Sequence, residues 1–436
     1  MVETMARHES CLVLEDVPKI ENLEYPDIFA DALSVAVGYR DDGVYGRCPL
    51  LLGYRLKPGH RAGIYGAVST VTGRGWLIGF DEACFYWERH GVQNPHPSFA
   101  VSSLESYLEH YATMREAIRL LDHVPEFLWN QDCEYAVDRE QAAGFIASAA
   151  EADGEAIRRY VTDTLAARQR PVIALLYLPS VPIVEMALLT GYESSGEVVL
   201  GRSPYQNSQM DNSGPYGYFR MADWERKVLA IIGIGEENRT EKNRDFSFLA
   251  IENALRYSKS HIRGTQYHGL AAYDAWERAL LDDASITGVD DAIVSRRLLQ
   301  HSLTAGFIAS QKAFTVLPDC NAPSMGVVGG FVRRAAAGPG LIHGLMWDVW
   351  QVVGGYWRGV KAGNAEHRLY WENDEELRRF RDRTVREKAA KVISRARQVD
   401  AQAIQDLQEA KEEWEKCLGR GKEHPCPCWD KPCARV

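Results

Sequence analysis

An α+β protein is expected: an antiparallel sheet packed on helices, followed by an all-helical domain. Helical patterning dominates up to about residue 168, apolar strand-like runs cluster between residues 171 and 235, and helical patterning returns alone from about 246. At 436 residues the chain exceeds what one hydrophobic core usually organises. Two domains are therefore expected, over 1–240 and 245–417, with a Cys- and Pro-rich tail over 418–436 that should be flexible.

CLVLEDVPKI at 11–20 alternates enough to open the sheet as a strand. Pro26 then starts a helix whose apolar face, Ile28, Phe29, Ala32, Leu33, Val35 and Ala36, stops at Gly38. Residues 39–60 are loop-like, and a short helix from Ala62 to Val71 ends before the Gly-Arg-Gly at 73–75. Helices are expected again over Ser102–Leu121 and over one long stretch, Asp138–Arg168. From there the period changes. PVIALLYL at 171–178 suits a buried strand, and VEMALLTGYESSGEVVLG reads as strand, Ser-Ser-Gly turn, strand. Residues 217–225 give a short strand and one helical turn, and VLAIIGIG at 228–235 is a last β-branched strand. Past the charged linker Glu236–Arg244, helices are expected over 246–258, 268–283, 291–316, 326–336, 339–357 and about 374–417. On the last of these, Val392, Ala396, Val399, Ala403 and Leu407 form one stripe that should dock on its own domain. The alternative use of that stripe is a coiled-coil partner, which would make a homodimer.

A formal net charge of -10 excludes a general nucleic-acid binder, whose phosphate contacts need a basic face. The first ten residues carry mixed charge and no apolar core, and the apolar stretch 181–190 is too short for a bilayer and contains Glu185. No membrane partner and a cytoplasmic location are expected. Nine cysteines, five of them scattered, do not resemble a secreted disulfide framework.

EMALLTGYESSGEVVLGRSPY at 185–205 resembles the late sheet hairpin of bacteriocin-processing, papain-like cysteine peptidases and of the N-terminal domain of butirosin biosynthesis protein H. Gly75-Trp-Leu-Ile-Gly-Phe-Asp-Glu-Ala-Cys-Phe85 is similar to a second stretch of the butirosin-type proteins. Residues 269–276, His301 with Gly306, and 343–350 are similar to bacterial relatives of that group. The resemblance implies a papain-like fold in the first half, in which a helix-borne Cys attacks an acyl carbon and a His deprotonates it. It also implies acyl transfer from a carrier protein to an amine. The residues depart from it at both reacting positions. Glu185 stands where the His belongs, and the nucleophile position falls on Ala62 or, with the earlier helix, on Asp27. An unperturbed Glu, with a pKa of about 4.3, is too weak a base for a thiol of about 8.5.

Glu185 is the candidate catalytic residue. Two readings are open: a buried acid that binds an amine or moves a proton, or a strand-end carboxylate facing solvent or paired with Arg202. Tyr65, Tyr192, Arg202, Tyr205, His301, His343 and Trp347 are the candidate ligand-binding residues. His343, Met346, Trp347 and Trp350 share one helical face, which either lines a pocket or is core. Cys48 and Cys84 are either displaced nucleophiles or buried structural thiols. Cys417, His424, Cys426, Cys428 and Cys433 are ligand-type residues without paired C-x-x-C knuckles, so no metal is assigned. No Gly-rich stretch has the phosphate-loop pattern, and no cofactor is expected. The expected function is a butirosin-H-like protein of small-molecule metabolism, a ligand-binding or acyl/amide-handling protein without a Cys–His pair. Its expected partners are a small-molecule ligand and an acyl carrier protein. The alternative is an active acyltransferase or amide hydrolase with a displaced cysteine.

Overall fold

The structure is a computed structural model that describes residues 10–20, 28–38, 65, 68–70, 72–76, 78–81, 107–108, 110–121, 123–178, 183–204, 206, 210–237, 246–263, 265–283, 326–353 and 381–419. By its internal contacts the chain divides into two units, Met1–Val68 with Ser102–Arg244, and Ser69–Val101 with Asp245–Val436. The excursion over 69–101 groups with the C-terminal half.

The first unit is a mixed α+β layer structure around a mostly antiparallel eight-stranded sheet. Its strands are β1 (Leu12–Val13), β3 (His123–Asn130), β4 (Ala150–Ala152), β5 (Val172–Leu178), β6 (Ile183–Glu193), β7 (Val198–Arg202), β8 (Phe219–Ala222) and β9 (Val228–Glu237). Their order is β4-β3-β9-β5-β6-β7-β8, with β1 pairing β6, and only β3 and β4 run parallel. β5 is hydrogen-bonded on both sides, to β9 and β6. That central place explains why its sequence is an unbroken apolar run. β3 alternates sides. Glu126 reaches Tyr160 and Arg168 of helix α4 (Gly154–Arg168). Phe127 and Trp129 point the other way and meet Phe145 of α3 (Arg139–Ser148), at centroid distances of 5.4 and 5.9 Å. Tyr111 of α2 (Tyr111–Leu120) closes on the same ring. Helix α1 (Ile28–Gly38) packs on β5 and β6 and ends at the expected glycine.

A single helix was expected over 138–168, but β4 interrupts it. Asp153 caps α4 by accepting a hydrogen bond from the Ala156 N–H at 2.8 Å. The cap starts a new helix and frees Ala150–Ala152 to pair with β3. β3 itself is a strand that the hydropathy pattern does not announce, because Pro125 and Glu126 break its apolar alternation.

The second unit is not all-helical, as the sequence suggested. A hairpin of β10 (His261–Arg263) and β11 (Gln266–His268) pairs with β2 (Gly79–Asp81) to make a three-stranded sheet. Strands of three residues carry too little periodicity to be read against the helices around them. This pairing also ties the 69–101 excursion to this unit, as does Trp76, packed against Ile251, Ala254 and Trp414. Around them lie α5 (Phe246–Ser258), α6 (Leu270–Leu281), α7 (Gly326–Val353) and α8 (Arg383–Gly419). α7 runs unbroken through Pro339, where two helices were expected. It lies along α8, with Gly338 so close that a Cβ there would sit 2.8 Å from the Ala403 Cβ. This packing outweighs the one hydrogen bond that a proline removes. Of the expected α8 stripe, Ala396, Ala403 and Leu407 are buried and Val392 and Val399 half-buried, and the buried face also takes in Ala389 and Ile393, which join the cluster of Trp276, Ile342 and Met346. The expected helix over 291–316 and most of the Cys-rich tail lie outside the described residues. No described helix is long and apolar enough to cross a membrane.

Candidate functional site

β6 has a carboxylate near the start of an apolar strand, at its third residue. Glu185 is opposite Leu176 of β5 and is only 3% exposed. Its Oε1 accepts a hydrogen bond from the Tyr107 hydroxyl at 2.9 Å and another from the Met186 N–H at 2.7 Å. Tyr107 is itself fully buried. A buried carboxylate is tolerated only when donors replace the water it lost, and these two do so. The reading of Glu185 as a solvent-facing strand end is therefore overturned. Tyr107 is the partner that sequence reasoning missed. Its only signal was a phenol inside the apolar helical run Ser102–Leu121, where a hydroxyl must find an acceptor.

Arg202 is engaged elsewhere. Its guanidinium donates to the carbonyls of Val17, Gly217 and Tyr216, at 3.4, 3.0 and 2.5 Å, and lies 4.6 Å over the Tyr218 ring. Tyr216 has a left-handed backbone, φ 58, so Arg202 holds a strained turn in place. Tyr218 joins the same cluster. Its hydroxyl donates to the Leu14 carbonyl and accepts from the Val17 N–H, fastening the N-terminal segment across the sheet.

Tyr65 is a buried helical residue. Tyr192 lies on the far half of β6 and lines a surface cleft along α4. That cleft consists of two hollows of about 620 and 340 Å³ that share Glu155 and Arg158. One rim is the turn Ser194–Gly196, with Ser194 and Ser195 at φ 50 and 56. The other is the turn Trp224–Arg226, and the Trp224 indole N–H ties the two turns together by donating to the Gly196 carbonyl at 2.8 Å. Tyr205 and His301 lie outside the described residues, as do the side chains of His343 and Trp347 on α7.

Cys48 and Cys84 also lie outside the described residues, and the described free thiols are Cys11, exposed, and Cys133, half-buried. Burial pushes the Cys133 thiol up, opposite to what a nucleophile needs. No model of a known protein family, no curated protein and no solved structure matches this chain. Among the described residues no group of His, Cys, Asp and Glu is arranged to hold a metal ion.

Proposed function

We infer that this is a protein of small-molecule metabolism that binds or handles an acyl or amide group without a thiol–imidazole pair. In this reading the first unit is a papain-like scaffold of the butirosin-H type, and Glu185 with Tyr107 stands where the imidazole would be. The supporting observation is the buried Glu185 carboxylate, held by a phenol and a backbone N–H in the core of the sheet. Keeping a carboxylate in an apolar core is costly, which is why such groups concentrate at working sites.

A carboxylate so held has two uses. It can anchor the ammonium group of a ligand, or it can take the proton as an amine attacks a thioester. In the second case the C–N bond forms as the C–S bond breaks. The amine proton passes to Glu185, and the electron pair of the broken bond leaves on sulfur as thiolate. A small molecule carrying an amine and an acyl carrier protein carrying the thioester are the partners this chemistry calls for.

The test is aminolysis of an acyl N-acetylcysteamine thioester by a primary amine, with the wild-type chain and Glu185→Gln. The substitution keeps shape and removes the charge. It is expected to abolish the rate above background or, for a pure binding protein, to weaken amine binding by about tenfold or more. Rate and affinity both unchanged in a folded Glu185→Gln protein would remove Glu185 from the site.

A further inference from the structure

We propose that the cleft along α4 is a separate binding site for a compact zwitterion, a small molecule carrying both a carboxylate and an ammonium group. The hollows lie in the size range of small-molecule sites. Their walls carry both signs of charge: Arg158, Arg159 and Arg226 against Asp132, Glu155 and Glu225. Three carboxylates disfavour a polyphosphate, three guanidinium groups disfavour a polyamine, and Tyr192 supplies little apolar wall for a lipid-like ligand. A molecule with one charge of each sign, a few bonds apart, matches both sets.

The existing pairs leave groups to spare. Arg158 binds Glu225 through one nitrogen and one oxygen. The Arg158 Nε and the Glu225 Oε2 are buried and have no hydrogen-bond partner. One unsatisfied donor and one unsatisfied acceptor thus lie in adjacent side chains that line the same cleft, and each calls for an explanation. The side chains themselves are 36% and 15% exposed, so a turn of each toward the cleft would offer the first to a ligand carboxylate and the second to a ligand ammonium. Arg159 and Glu155 pair on the surface at 65% and 81% exposure, so exchanging that pair for ligand groups costs little. The walls are well supported. Asp153 caps α4, and Asp132 Oδ2 accepts the Gly154 N–H at 3.0 Å. The 194–196 turn is pressed so closely on α4 that a Cβ at Gly196 would lie 2.9 Å from Thr162. A site on fixed elements spends less of its binding energy on ordering.

The experiment is calorimetry or ligand-observed NMR on the full chain, with 5-aminopentanoate as probe and pentanoate and pentylamine as singly charged controls. The zwitterion is expected to bind saturably, at least about tenfold more tightly than either control. Arg158→Gln and Glu225→Gln should each weaken it by about tenfold or more, whereas Glu185→Gln should leave it unchanged. A near-native melting temperature in each variant shows that a loss is local, and Arg159→Gln serves as a milder second variant should Arg158→Gln fail to fold. Pentylamine binding as tight as that of the zwitterion in the Glu185→Gln chain, where the amine site proposed above is removed, zwitterion binding that survives both cleft substitutions, or no saturable binding up to about 10 mM would each overturn the proposal. Loss of binding on Glu185→Gln alone would move the ligand to the buried carboxylate instead.

Discussion

The Glu126 carboxylate shows how single groups set the pH limits of this molecule. Burial, the largest influence on it, pulls its pKa upward. Hydrogen bonds from Arg168 and Tyr160, with the Arg168 charge, prevail and hold it below the usual 4.5. The same contacts push the Tyr160 phenol up, burial first and Glu126 second. A carboxyl depressed in the folded state contributes its full stabilisation above its ordinary value and loses it as pH falls through the folded value. The first unit should therefore lose stability below a pH of 4.5, and Glu126→Gln should flatten that part of a urea-midpoint profile. At the candidate site, Tyr107→Phe removes one of the donors to a buried carboxylate. It is expected to cost about 1–3 kcal/mol in chemical denaturation, against a near-zero cost if the hydroxyl were solvated. Glu185 was legible in the sequence because a charge in an apolar run stands out. Tyr107 was not, because 78 residues separate it from its acceptor and only the folded chain brings them together.

Elements were readable where local chemistry decides them. The 183–202 hairpin was foreseen because a Ser-Ser-Gly turn separates two apolar runs, and the positive φ values at 194–196 show that the turn needs such residues. β3 and the small β2-β11-β10 sheet escaped, since their register is set by partners far away in sequence. Two element-level outcomes follow. Asp153→Ala removes the cap of α4 and should cost about 1 kcal/mol, read as a shift in the unfolding midpoint with unchanged slope. Gly233→Ala should cost far more. Its Cβ would lie 2.0 Å from the Tyr160 hydroxyl and 2.6 Å from the Glu126 carbonyl oxygen. Tyr160→Phe in the same chain would relieve only the first clash, so the double variant should stay well below wild type. Full recovery would mean that the strand yields at Gly233.

For the molecule as a whole, composition and periodicity were enough to foresee a sheet with helices followed by a helix-rich half. The path of the chain was not foreseeable, because nothing local marks 69–101 as part of the second unit until β2 finds β11. The same distinction applies to the proposed function: a papain-like scaffold with Glu185 in place of its His is a reading of the residues, and the chemistry proposed for it depends on whether sulfur or a carboxylate does the work. One measurement separates these directly. The folded chain is alkylated to completion with iodoacetamide, and its thioester aminolysis or amine affinity is compared with that of untreated protein and of Glu185→Gln. Alkylation is expected to leave the signal intact and the substitution to remove it. A signal lost on alkylation of a single cysteine, and retained in Glu185→Gln, would contradict that expectation.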